Sequence, residues 1–387
     1  MDKQYFLAKR VLVDQSWRDQ QILTVDENGY IEAIDRYEQH KYDDKKVIDL
    51  GETILLPGLI DSHVHGAMGH DVMDATHHAL DSMSTFFAQN GVTGFLATTV
   101  TAPPVKIEAA LKQIGLSTQS GVSGAELLGG YLEGPYFTEK NRGAHPTEWF
   151  RDLTVAELKS WQALAGDTLR KVALAPEKSN ALEIIKHLKS CDIKVMLGHT
   201  DADFDTVNRA LDAGADGIVH CYNGMRGLHH RDPGVVGAGL CHPNSYVEMI
   251  ADGHHVHPTA IDVAYRCCGE RLTLITDAMQ AAGMPDGQYQ LGEYQVNVVE
   301  GVVRTDAGGL AGSTLILKNA VFNLSNWLNM PLEKAWLRAS LTPAKSLGIE
   351  HELGSLVVGK KASMVALSIT DHQVEQTWVN GVSVYSR

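Results

Sequence analysis

Eight short apolar runs, most of them separated by helix-forming segments, constrain this chain more than any other feature. They read LIDSHVH, GFLATTV, ELLGGYLEG, KVALAPE, KVMLGHT, GIVHCYN, YVEMIAD and LTLITDA, in order, between residues 59 and 278. Segments 77–90, 105–115, 155–165, 180–190, 203–213 and 257–268 carry helical patterning, and Thr154 and Asp203 are suitable N-caps. Eight strand-like runs alternating with helices predict the α/β class and a TIM-type (β/α)8 barrel, with a doubly wound sheet as the alternative. Two long helices after Ser313 complete the count, and residues 284–306 read as an inserted hairpin.

The two ends of the chain differ from this middle. FLAKRVLVD, QILTVDENGYIEAID and KVIDLGETILL near the start, and ASMVALSI and VEQTWVNGVSVYS near the end, alternate with period two around DENG and Asn-Gly turns. Residues 1–55 and 355–387 are therefore expected to form one small β-domain, with the barrel at 56–354 set between its halves.

Nearly every apolar run ends in a residue that binds metals or moves protons: His63 and His65, Glu133, His199, His220, Asp252 and Asp277. In a barrel these strand ends open onto one face, where active sites form. Residues two apart on a strand share a side, so His63 and His65 reach the same ion. A lone His-x-His is more often two polar residues on a half-buried strand, a lone Glu133 an exposed turn residue, and a lone His199 or His220 a satisfied core histidine. Together, Glu133, His199 and His220 make a three-ligand set with an open position. Imidazole and carboxylate suit zinc and iron(II) alike and select neither. Asp277 is placed to take a proton from water and pass it to a leaving nitrogen; the alternative is a helix N-cap. Arg231 with a nearby histidine suits a phosphate, and Gly224 exposes a backbone N–H. His77-His78 and His229-His230 close no strand and are expected at the surface.

Composition narrows the partners. The net charge is −14 with no run of Lys or Arg, which argues against nucleic acid and anionic membranes. The opening MDKQYFLAKRVLVD lacks the apolar core of a signal peptide, and the five cysteines lack CxxC spacing, so a reducing cytoplasm is expected.

PGLIDSHVHG resembles the opening metal motif of the amidohydrolase superfamily. YLEGPYF, RGAHP, LGHT, VHCYNGM followed by RDPG, ADGHHVHP, LITDAM and LAGST are together similar to its N-acetylglucosamine-6-phosphate deacetylase family. The resemblance implies a (β/α)8 barrel with a small β-sandwich from both termini, and deacetylation of a phosphorylated amino sugar. It implies a metal on Glu133, His199 and His220, with Asp277 as general base and later acid. His145 would polarise the acetyl carbonyl. Asn223, Gly224, Arg231, His255 and the backbone of Ala144 would hold the sugar phosphate, Arg231 reaching across a homodimer.

Two departures stand out. Gly224 replaces the family's more frequent alanine, which points to a looser loop. Both His63 and His65 are present, so a second metal bridged by Glu133 is an open alternative to one. The bridging lysine of hydantoinase-like members has no evident counterpart here. A deaminase or cyclic amidase, a sugar-phosphate sensor and a purely structural barrel are the competing readings.

Overall fold

The computed structural model describes residues 2–387. Eight parallel strands form the central sheet: Leu59–Val64, Val92–Thr98, Glu126–Glu133, Leu169–Leu174, Lys194–Leu197, Gly217–Ile218, Tyr246–Ile250 and Leu272–Ile275. Neighbours in sequence are neighbours in the sheet. The last strand returns to the first: His63 O accepts from Asp277 N–H at 3.0 Å, and His65 N–H donates to Ala278 O at 2.8 Å. At the other end the Arg338–Ala339 segment fills the gap, its carbonyls accepting from Leu274 and Ile60. The (β/α)8 barrel is thereby closed.

The helices form as their patterning requires. In Ala181–Ser190 the buried residues are Ala181, Ile184, Ile185 and Leu188, one stripe facing the barrel. Thr154 accepts from Glu157 N–H, and Asp203 from Thr206 N–H, so both caps form. The helix Gly234–Cys241 was not anticipated: three of its eight residues are glycine and it is buried nearly all round, so it carries no amphipathic signal. The two long helices expected after Ser313 are instead three, Leu317–Trp327, Leu332–Leu337 and Leu341–Leu347. Pro331 separates the first two, because it cannot continue a preceding helix.

Both termini enter one eight-stranded sheet, with Met364–Ser368 from the C-terminal end beside Thr53–Pro57 from the N-terminal end. Phe6 and Trp378 stand on strands with two others between them, yet their ring centroids are 5.2 Å apart. Adjacent strands are spaced about 4.8 Å, so the sheet must fold over itself as a small β-sandwich. The Asn380-Gly381 turn has positive φ at both residues, joining Val374–Val379 to Val382–Ser386.

The inserted segment is a three-stranded meander, Gly287–Leu291, Tyr294–Val299 and Val302–Thr305, rather than a single hairpin. A second tight turn at Glu300-Gly301, with φ of +52° and +74°, adds the third strand. Its Leu291 lines the cavity described next. Among the described residues, no helix is long and apolar enough to cross a membrane.

Candidate active site

A cavity of about 270 Å³ opens at the C-terminal ends of the barrel strands. His65, Glu133, Ala144, His145, His199, His220, Asn223, Gly224, His255 and Asp277 all line it. A larger cavity, about 720 Å³, lies beside Leu127, Leu128 and Ile349 at the opposite end, away from these groups.

Glu133, the last residue of the third strand, is 2% exposed and sits at the centre. Its Oε1 faces Nε2 of His63, His199 and His220 at 3.4, 3.5 and 3.4 Å. Its Oε2 faces Nε2 of His65 at 3.2 Å and of His145 at 3.7 Å. Asp277 approaches from the eighth strand, its Oδ1 3.1 Å from His65 Nε2 and 3.5 Å from His63 Nε2.

The opposite ring nitrogens explain this convergence. Nδ1 of His65, His199 and His220 meets the main-chain carbonyls of Thr98, Asn141 and Asn223 at 3.1, 3.2 and 3.1 Å. Nδ1 of His63 meets Oε2 of Glu248 at 3.1 Å. Carbonyl and carboxylate oxygens only accept, so in each neutral ring Nδ1 carries the proton and Nε2 keeps a lone pair aimed at Glu133. The Nε2 atoms of His199 and His220 are 3.1 Å apart, two lone pairs facing each other. His63 Nε2 and Glu133 Oε1 are buried without a hydrogen-bond partner. Such a set fits a divalent cation, which would satisfy every one of these atoms.

The electrostatics agree with that fit. Burial works against a charged His65, but hydrogen bonds to Asp277 and Glu133 outweigh it and raise the imidazole to about 9. Burial likewise opposes a charged Glu133, yet the His63 charge and the His199 and His220 imidazoles crowded against it hold its carboxyl well below the usual range. Protons and a cation therefore compete for the same lone pairs.

His145 is tied differently. Its Nδ1 lies 2.8 Å from Thr101 Oγ1 and accepts from Thr101 N–H at 3.4 Å. An accepting Nδ1 puts the proton on Nε2, which points into the cavity. Burial and the neighbouring His199 depress this imidazole well below its ordinary value, so it is neutral. Thr101 approaches so closely that a Cβ on Gly134, whose φ is +80°, would strike its hydroxyl.

Three of the chemistry-bearing residues have left-handed backbones: His199, His220 and Asp277, with φ of +46°, +22° and +50°. No helix starts at Asp277, so the capping alternative falls. Gly224 has φ +59°, and a Cβ there would lie 2.8 Å from Nδ1 of His199. The loop is thus closely packed against the site. His255 is held by Asp252, its Nδ1 2.6 Å from Oδ2.

Arg231 is exposed, its guanidinium 2.8 Å from its own His230, and does not line the cavity of its own chain. His77 is also exposed but bonds Ser117 Oγ at 2.9 Å. A buried barrel lysine does exist, Lys171 on the fourth strand, but Glu248 and Ser62 engage it. Lys171, Glu248, Thr101 and Asn141 escaped the sequence reading. The first two sit mid-strand, where a charged residue reads as the solvent face.

A closed (β/α)8 barrel with a histidine–carboxylate cluster at its strand ends defines a metal-assisted hydrolase. The sequence pattern of the amidohydrolase family matches residues 54–384, and the chain belongs to that family. It is 64% identical to N-acetylglucosamine-6-phosphate deacetylase of Vibrio furnissii over 98% of this chain and 94% of the relative. It is 50% identical to N-acetylgalactosamine-6-phosphate deacetylase of Escherichia coli O157:H7, over 97% of each. A mutant N-acetyl-D-glucosamine-6-phosphate deacetylase from Mycobacterium smegmatis, solved with N-acetyl-D-glucosamine-6-phosphate, superposes over the full length of both chains with a TM-score of 0.93 at 29% identity.

Proposed function

We propose that the protein hydrolyses the acetamide of N-acetyl-D-glucosamine 6-phosphate, giving D-glucosamine 6-phosphate and acetate. The observation that carries this reading is the convergence of four Nε2 lone pairs on Glu133, with Asp277 beside them. Glu133, His199 and His220 would hold one divalent cation, zinc or iron(II), and His63 and His65 with Glu133 would hold a second. Bound there, a cation would supply polarisation of the amide carbonyl and a water that loses its proton near neutral pH. Asp277 takes that water's proton as oxygen adds to the carbonyl carbon, and gives it to the amide nitrogen as the C–N bond breaks. The neutral His145 donates its Nε2–H to the carbonyl oxygen as negative charge develops there.

Asn223, Gly224, His255 and the backbone of Ala144 hold the sugar phosphate. The exposed Arg231, absent from its own cavity, supports a homodimer in which it completes the partner's site. The five cysteines, all unpaired and three of them exposed, support a reducing cytoplasmic location.

The 50% identity to an N-acetylgalactosamine-6-phosphate deacetylase favours one second reading, the C4 epimer as substrate. Acetate release from the two phosphorylated epimers and from unphosphorylated N-acetylglucosamine, with zinc or iron(II) supplied, decides. Turnover of the phosphorylated gluco sugar is expected. Preference for the galacto epimer would move the assignment to the second reading. No release from any of the three by metal-loaded protein would overturn both. Arg231→Ala should raise KM for the phosphorylated sugar; an unchanged KM would remove Arg231 from the phosphate site.

A further inference from the structure

Beneath the cluster, the barrel interior holds an ion pair that the reaction above does not use. Lys171 and Glu248, on the fourth and seventh strands, are each 1% exposed. Lys171 Nζ donates to Glu248 Oε1 at 2.7 Å, and to the carbonyl and hydroxyl oxygens of Ser62 at 3.3 Å each. It also lies 4.8 Å from the Tyr131 ring centroid. Every direction around the ammonium is therefore committed. The second Glu248 oxygen is left with one partner, Nδ1 of His63, at 3.1 Å.

A pair this deep is costly to bury, and apolar residues of equal volume would serve packing as well or better. Its distinguishing feature is where it leads. His65, His199 and His220 are oriented by main-chain carbonyls, which the fold fixes. Of the four proposed ligand rings His63 alone is oriented by a side chain, and that side chain is itself anchored. A carboxylate behind an imidazole fixes the ring's tautomer and strengthens its other nitrogen as a ligand.

We propose that Lys171 and Glu248 are positioning residues for His63. Lys171 anchors Glu248, and Glu248 holds the imidazole with Nε2 turned to Glu133, setting cation affinity at the position formed by His63, His65 and Glu133. The proposal rests on the two-cation reading above.

The test is zinc binding to the metal-stripped full-length protein by chelator competition, with thermal unfolding alongside. The double variant Lys171→Met/Glu248→Gln removes both charges at nearly constant volume, so neither is left buried and unpaired. It is expected to stay folded, to bind the first equivalent as the wild type does, and to bind the second about 10–100-fold more weakly. A folded double variant with both affinities unchanged overturns the proposal and leaves the two-cation reading intact. A wild-type protein that binds a single equivalent overturns that reading and the proposal with it. Should the double variant not fold, Glu248→Asp keeps the charge but withdraws the carboxylate by one methylene. It should weaken the second equivalent only, and two unchanged affinities there would equally overturn the proposal.

Discussion

Replacing Thr101 by valine removes one oxygen and keeps the shape of the side chain. That oxygen lies 2.8 Å from Nδ1 of His145, and the residue's own N–H donates to the same nitrogen at a long 3.4 Å. The N–H contact makes Nδ1 an acceptor and keeps the proton on Nε2, and the hydroxyl, free to rotate, donates to the same nitrogen and holds the ring in place. In the valine protein only the long contact remains. Leaving a buried group without its hydrogen bond costs about 1–3 kcal/mol. Set against the orientation of the ring, which the hydroxyl helps to hold, that is roughly 5- to 150-fold in the fraction with Nε2–H turned to the cavity. We expect kcat to fall within that span while KM stays near the wild-type value, because the proton on Nε2 matters most as charge develops. The ceiling is His145→Ala, for which loss of an oxyanion donor predicts about 10²–10³-fold. Steady-state acetate release from N-acetyl-D-glucosamine 6-phosphate gives both constants. The double variant Thr101→Val/His145→Ala should be no slower than His145→Ala alone, since Thr101 acts through that ring. Wild-type kcat in Thr101→Val, or multiplied losses in the double variant, would refute the reasoning.

Asp277→Asn should lower kcat by about 10²–10⁴-fold while zinc content stays at the wild-type level; near wild-type turnover in a metal-loaded variant would remove Asp277 from proton transfer. Burial raises Asp71 from 3.8 to about 6, outweighing the hydrogen bond from Met73. The folded protein then binds this proton more tightly than the unfolded chain, so stability falls as pH rises from about 4 through 6. Asp71→Asn keeps an oxygen for the Met73 N–H, which donates at 2.8 Å. It should stabilise at pH 7 by at most about 3 kcal/mol and hardly at pH 4; equal urea-midpoint shifts at both pH values would contradict this. Burial pushes the Cys268 thiol up to about 12 and Cys221 higher still, whereas Cys191, Cys241 and Cys267 are exposed. Iodoacetamide at pH 8 should label those three and spare Cys221 and Cys268, and peptide mass spectrometry showing Cys221 labelled as fast as Cys191 would contradict the burial argument.

The barrel was legible because most strands are largely apolar runs closed by a chemically distinct residue, and because helices such as Ala181–Ser190 carry a clear stripe. The strand-end histidines and carboxylates were legible for the same reason: a polar group closing an apolar run needs a partner. What escaped acts without such a signal. Asn141 orients His199 through its main-chain oxygen, which any residue would supply. Thr101 is one hydroxyl in a loop. Lys171 and Glu248 interrupt their strands as a solvent-facing residue would, and only barrel closure turns that side inward. The helix Gly234–Cys241 lacks a polar face, so periodicity cannot reveal it.

The left-handed backbones at His199, His220 and Asp277 carry a consequence for durability. A side chain in that conformation costs roughly 1–2 kcal/mol per residue, which glycine avoids and asparagine reduces. This strand-end face therefore stands as a permanent load on a fold that would be steadier without it. Selection for heat resistance alone, blind to turnover, would be drawn to positions 199, 220 and 277 and would exchange them for glycine or asparagine. Chemistry and durability pull against each other at the same three positions, so a stabilised form of this protein that still works has to gain its stability elsewhere in the chain.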